Sequence, residues 1–156
     1  MRFVPNHILF TKGEKPMSEE NKALARRILE DLVVALNLDN LDEYFAEDVI
    51  VHVPFLDLPP GREGLRVLYS SFPGAISDVV LTFEDQIAEG DRVVTRWSSE
   101  FTHTGDLFGV PATGKRVKQS GIMIYRIRGG KVVEQWAEAN MLGLMQQLGA
   151  VPPPGG

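Results

Sequence analysis

Cysteine is missing from this chain of 156 residues, and that absence excludes disulfides, thiolate-held metals and cysteine nucleophiles together. Positive charge is also scarce. Lys and Arg number 16 against 21 Asp and Glu, a formal net charge of −5, which argues against the basic face that a phosphate backbone demands. The short basic run Lys115, Arg116 and Lys118 reads as a solvated strand edge. Long apolar runs are lacking too: the amino-terminal segment holds only Ile8-Leu9-Phe10, too short for a signal-peptide core or a bilayer span. The expectation is a cytoplasmic protein with no nucleic-acid and no membrane partner. No internal repeat or low-complexity block breaks the chain. What is there is 44% hydrophobic content, enough at this length for one core and one domain.

Residues 1–16 lack periodic apolar content and are expected to be an extension outside the fold; 17–151 form the domain, and 152–156, Pro-Pro-Pro-Gly-Gly, a flexible tail. Ser18 is a good N-cap, and Leu24, Ile28, Leu32, Ala35 and Leu36 recur at three- and four-residue spacing. That spacing predicts an amphipathic helix, with Arg26/Glu30 and Arg27/Asp31 as i,i+4 pairs on its polar side. Short helices are expected over Leu41–Ala46 and Glu63–Phe72, with a strand over Val49–Pro54 between them. From Asp78 the period becomes two, giving strands Val79–Ala88, Arg92–Thr104, Arg116–Arg128 and Lys131–Ala139, before a closing helix over Met141–Leu148. Helices followed by an antiparallel meander make an α+β domain.

Alternation sorts the side chains into faces. Trp97, Phe101 and His103 share one face of their strand, Gln119, Met123 and Tyr125 one face of the next, and Trp136, Glu138 and Asn140 one face of the last. The aromatic-rich sets are expected to form a common concave surface, unless a bulge flips part of the set. The opposite faces still contain Val94, Ile122 and Ile124 among charges, which motivates the expectation of a homodimer.

The order Thr102-His103-Thr104-Gly105-Asp106-Leu107-Phe108-Gly109-Val110-Pro111-Ala112-Thr113-Gly114-Lys115, followed by Val133-Glu134-Gln135-Trp136, resembles the THxGxFxGxPxTGK and VExW signature of the SnoaL-like polyketide cyclases (ester cyclases). These form a branch of the NTF2-like superfamily. The resemblance implies an NTF2-like cone, a curved and mainly antiparallel sheet wrapped around N-terminal helices, with a pocket for a hydrophobic small molecule. It also implies acid/base chemistry with no cofactor and no metal: an intramolecular aldol-type ring closure of a hydrophobic carbonyl compound. The family's acid follows the tryptophan in the pattern WxxxD, and this chain has Asn140 there. An amide can hold a carbonyl but cannot exchange a proton at neutral pH.

The candidate catalytic set is therefore His103, Glu138, Asn140 and His52. His103 lies in the signature and could serve as a base or oxyanion donor, or simply bond a loop carbonyl. His52 matches a histidine at the end of the family's first strand, or is a half-buried strand residue. Glu138, one pleat before Asn140, could take over the proton, or be a solvated carboxylate. Trp97, Phe101, Gln119, Met123, Tyr125 and Trp136 are the expected substrate walls. The alternative function is a non-catalytic small-molecule-binding or dimerisation module of the same fold.

Overall fold

The computed structural model describes residues 17–155, so the expected extension over 1–16 lies outside the described residues. Helix α1 (Met17–Leu29) buries Leu24, Ala25, Ile28 and Leu29, the stripe that the three- and four-residue spacing demands. Its last turn widens into a π-helical segment over Glu30–Val34, where the Ala35 N–H bonds the Glu30 carbonyl, and Leu36 at φ 53° ends it. The expected i,i+4 pairs are not made. Arg26 instead donates to Gln86 Oε1 at 2.9 Å and lies over the Phe83 ring, while Arg27 lies over Tyr44. An exposed i,i+4 pair contributes only ~0.2–0.5 kcal/mol, so partners supplied by the sheet prevail.

Helix α2 (Leu41–Tyr44) passes straight into β1 (Phe45–His52). The strand thus starts earlier than expected, because Phe45 is fully buried and packs edge-on against Tyr125. After α3 (Arg62–Ser70) come β2 (Ile76–Glu89), β3 (Arg92–His103), β4 (Arg116–Arg128) and β5 (Lys131–Ala139), then α4 (Met141–Gln147). The 5-stranded sheet has the order β1-β5-β4-β3-β2. Only the β1–β5 pair is parallel; the rest is antiparallel. Register shifts interrupt β2 between Ser77 and Val80 and again between Phe83 and Asp85, and such bulges bend the sheet around the helices.

A further bulge decides which way β5 faces. Arg126 pairs with Glu134 but Ile127 pairs with Val132, so Val133 is an extra residue in β5. Val132 and Gln135 are both fully buried on the concave side. Beyond the bulge Gln135, Ala137 and Ala139 share the concave face, and Glu134, Trp136 and Glu138 share the outer one. The expected alternation on this strand is thereby reversed, as an inserted residue must do.

Two apolar clusters fill the concavity. One joins α1, α3 and the sheet through Ile28, Leu32, Leu65, Val93 and Tyr125. The second joins Ile76, Phe101, Leu107 and Val117 to Leu144 and Leu148 of α4. Phe72 and Phe108 pack against both. No helix among the described residues is long and apolar enough to cross a membrane.

Candidate functional site

A cavity of about 100 Å³ lies at the seam between the two clusters. Leu68, Tyr69 and Met123 reach it from the first cluster, and Ile76, Phe101 and Leu107 from the second. Sheet curvature keeps the two clusters from closing on each other, and the short side chains of Ala137 and Ala139 on β5 leave room at the wall.

Of the expected substrate walls, Trp97, Phe101, Gln119 and Met123 line this cavity. Trp97 lies against Gly121, across which no side chain interferes: a Cβ on Gly121 would stand 2.6 Å from Trp97 Cζ2. A glycine inside a strand often marks such a close approach. Gln119 Nε2 donates to Met141 Sδ at 3.4 Å, tying β4 to α4. Tyr125 sits deeper, in the first cluster. Trp136 does not line the cavity; on the outer face it stacks on His52, ring centroids 5.2 Å apart and 13° from parallel.

The four candidate acid/base residues are not brought together. His52 Nε2 lies 2.9 Å from Glu134 Oε2, and Glu134 also takes Arg126 Nη2 at 2.7 Å, all on the outer face. His103 is fully buried and organises the loop behind it: Nδ1 accepts the Thr113 N–H at 3.2 Å and lies 2.9 Å from Thr113 Oγ1. Its main chain bonds Lys115 and Gly114, each at 2.9 Å. With Nδ1 accepting, the neutral ring carries its proton on Nε2, which has no partner among the described residues. Asn140 is exposed and caps α4, its Oδ1 accepting the Gly143 N–H at 2.9 Å. Glu138 is exposed on the outer face, opposite the exposed Ile122, and borders the cavity near the end of β5.

The cavity residues Gln135 and Tyr69 fall outside the expected set. Gln135 is fully buried, and neither atom of its amide has a partner among the described residues. The Trp97 indole N–H is buried without one as well. Tyr69 lines the cavity, and burial pushes its phenol up to about 12. Burial, followed by the neighbouring Tyr69, holds the Tyr125 phenol well above its ordinary value. Both phenols therefore stay protonated through the physiological range and serve as donors, not bases. No Lys, Arg or His lines the cavity among the described residues. The lining suits an uncharged, apolar molecule and offers no countercharge to an anion. No cluster of three or more His, Asp or Glu able to hold a metal occurs among the described residues.

The signature loop supplies a cover. Leu107 and Val110 exchange both main-chain hydrogen bonds at 3.0 Å, with Phe108 at φ 50° and Gly109 at φ 83° between them. This is a two-residue turn with both central residues left-handed, a geometry that suits glycine and strains phenylalanine. Edge-on contacts hold Phe108 in place, to Phe55 at 6.3 Å and to Phe72 at 6.5 Å. Phe55, Phe72 and Phe108 all border the cavity.

A curved, mainly antiparallel sheet wrapped around N-terminal helices defines an α+β protein of the NTF2-like type. The profile of the SnoaL-like polyketide cyclases matches residues 23–148, and the chain belongs to that family. Among solved structures it is similar to TsrD from Streptomyces laurentii, with 28% identity and a TM-score of 0.76 over 88% of this chain and 99% of that one. It is also similar to AclR, a proposed hydroxylase from Streptomyces galilaeus (29%, TM-score 0.74, 87% and 85% covered). A third is IdmH, a proposed polyketide cyclase from Streptomyces antibioticus (28%, TM-score 0.71, 83% and 99% covered). No curated protein matches the sequence.

Proposed function

We propose that this chain is a cyclase-like catalyst that takes a hydrophobic, uncharged carbonyl compound into the seam cavity and folds it for an aldol-type ring closure. The observation that carries the reading is the cavity wall itself, almost wholly apolar, with the Gln135 amide and the Trp97 N–H buried behind it and without a partner among the described residues. Such a wall accelerates closure in two ways: it holds the flexible substrate in a reactive shape, and it donates to carbonyl oxygens as negative charge develops there. The proton of the acidic carbon falls to Glu138, which borders the cavity but projects from the outer face of β5, so its carboxylate has to swing over the strand end to reach the substrate. In this scheme His103 orders the loop and Asn140 caps α4, so neither handles a proton. The likeness to IdmH supports a cyclase, while AclR is a reminder that one fold carries several chemistries.

Turnover of a β-polyketo ester by the purified protein, followed chromatographically, tests this. Glu138→Gln should lower kcat about a hundredfold with binding retained, the usual contribution of a positioned acid/base. The second reading, a binding module without turnover, is favoured by the engagement of Asn140 as a helix cap at the family's acid position. It predicts saturable binding and no product from the parent protein. We further propose pairing of two copies through the outer sheet face, where Ile50, Ile87 and Ile122 are 51%, 60% and 43% exposed. A single 17.3 kDa species in sedimentation at micromolar concentration would remove that proposal.

A further inference from the structure

Gln135 is the one side chain of the cavity wall that is fully buried with both polar atoms, Oε1 and Nε2, unpartnered among the described residues. A buried amide in that condition opposes folding, whereas an apolar side chain of similar shape at the same place would not. Its neighbours on the same face of β5 are the small Ala137 and, beyond it, Ala139; the amide atoms themselves are buried in the empty cavity's wall, so a ligand meets them once the amide turns inward. Across β4 it pairs with Tyr125.

We infer that Gln135 sets the specificity of the cavity: its carboxamide takes the edge of a neutral ligand that carries a carbonyl oxygen beside an O–H or N–H donor, as cyclic amides and hydroxy ketones do. The inference deepens the proposed function and rests on the cavity being its ligand site. A carboxamide presents one donor and one acceptor side by side in a plane, so it meets such an edge with two hydrogen bonds and a lone ketone with one. A carboxylate ligand would set its charge against Oε1 with no cationic side chain in the wall to offset it. Trp97, whose N–H is also unpartnered, is a donor only and takes a second carbonyl of the same molecule.

Calorimetric titration of the intact protein with 2-quinolone and with N-methyl-2-quinolone tests this, because a methyl group replaces the donor beside the carbonyl; a steric preference would survive Gln135→Met and Gln135→Leu, whereas a hydrogen-bonding one would not. The parent should bind 2-quinolone about tenfold or more tightly than its methylated partner, as a hydrogen-bonding site does when the ligand loses a donor. Gln135→Met should erase that preference and melt no lower than the parent; Gln135→Leu is the substitute if Met is not accepted. A purely structural Gln135 would instead lower the melting temperature when replaced and leave the preference intact. Equal affinities in the parent, or a preference that survives both substitutions, would overturn the inference and leave the cavity as the ligand site. Binding of neither compound would overturn both.

Discussion

Gly121→Ala probes the cavity wall at one atom. Gly121 lies mid-strand in β4, between Trp97 on β3 and Ala139 on β5. An added Cβ would stand 2.5 Å from the Glu138 carbonyl oxygen and 2.6 Å from Trp97 Cζ2, with Cε2 at 3.0 Å. The indole can swing aside, but the carbonyl belongs to the strand next to Gly121 and cannot move without opening the β4–β5 ladder. Overpacking of this kind costs ~1–3 kcal/mol, and the lower entropy of the unfolded alanine chain returns ~0.4–1 kcal/mol. The net expectation is a loss of about 1–2 kcal/mol, a fall of roughly 2–8 °C in Tm at this chain length. Urea denaturation gives the first number, and tryptophan emission in a Trp136→Phe background reports whether the Trp97 ring has left its place. An unchanged midpoint together with unchanged Trp97 emission would refute the close packing of Trp97 over Gly121.

His103→Ala removes the acceptor of the Thr113 N–H and empties a fully buried site. It should therefore cost about 2–4 kcal/mol in denaturation while kcat per folded molecule changes by only a few-fold, because the ring orders the loop and does not face the cavity. Phe108→Gly relieves a left-handed phenylalanine but gives up the contacts to Phe55 and Phe72. Stability should move little, and ligand release in stopped-flow should quicken about tenfold or more as ~1–2 kcal/mol of backbone strain and the aromatic cover leave together. The Tyr69 contribution to stability should be complete below pH 10.0 and fall as pH rises from 10.0 toward about 12, since unfolded Tyr69 gives up its proton at the lower value and the folded phenol holds it. That decline is worth about 2–3 kcal/mol by linkage, and Tyr69→Phe should soften it in denaturation at pH 11–12.

Where the chain follows a strict period, the sequence carries the fold openly. β3 and β4 keep two-residue alternation without a break, and their inner faces, Trp97 and Phe101 on one and Gln119 and Met123 on the other, all line the cavity. β5 carries an inserted Val133 with no glycine or proline to mark it, so Trp136 reads as inward and Gln135 as outward when the reverse holds. Only the pairing partners on β4 locate that bulge. Position and role separate in the same way at His103 and Asn140. Their places in the signature are plain, but their partners, Thr113 across a loop and Gly143 in the next helix, are fixed by folding. Phe108 is hidden for another reason: nothing in a phenylalanine followed by glycine announces that the phenylalanine too is left-handed.

A ligand in the seam cavity meets Trp97 and leaves the outer His52–Trp136 stack untouched. With only 2 tryptophans in the chain, a ¹H–¹⁵N correlation spectrum contains two indole signals, one from each place. Titration with 1,4-naphthoquinone, a flat neutral carbonyl compound, should shift the Trp97 indole N–H saturably as it gains an acceptor and leave the Trp136 signal in position. Movement of Trp136 with Trp97 unchanged would put the ligand on the outer face and rule out the seam cavity as its site.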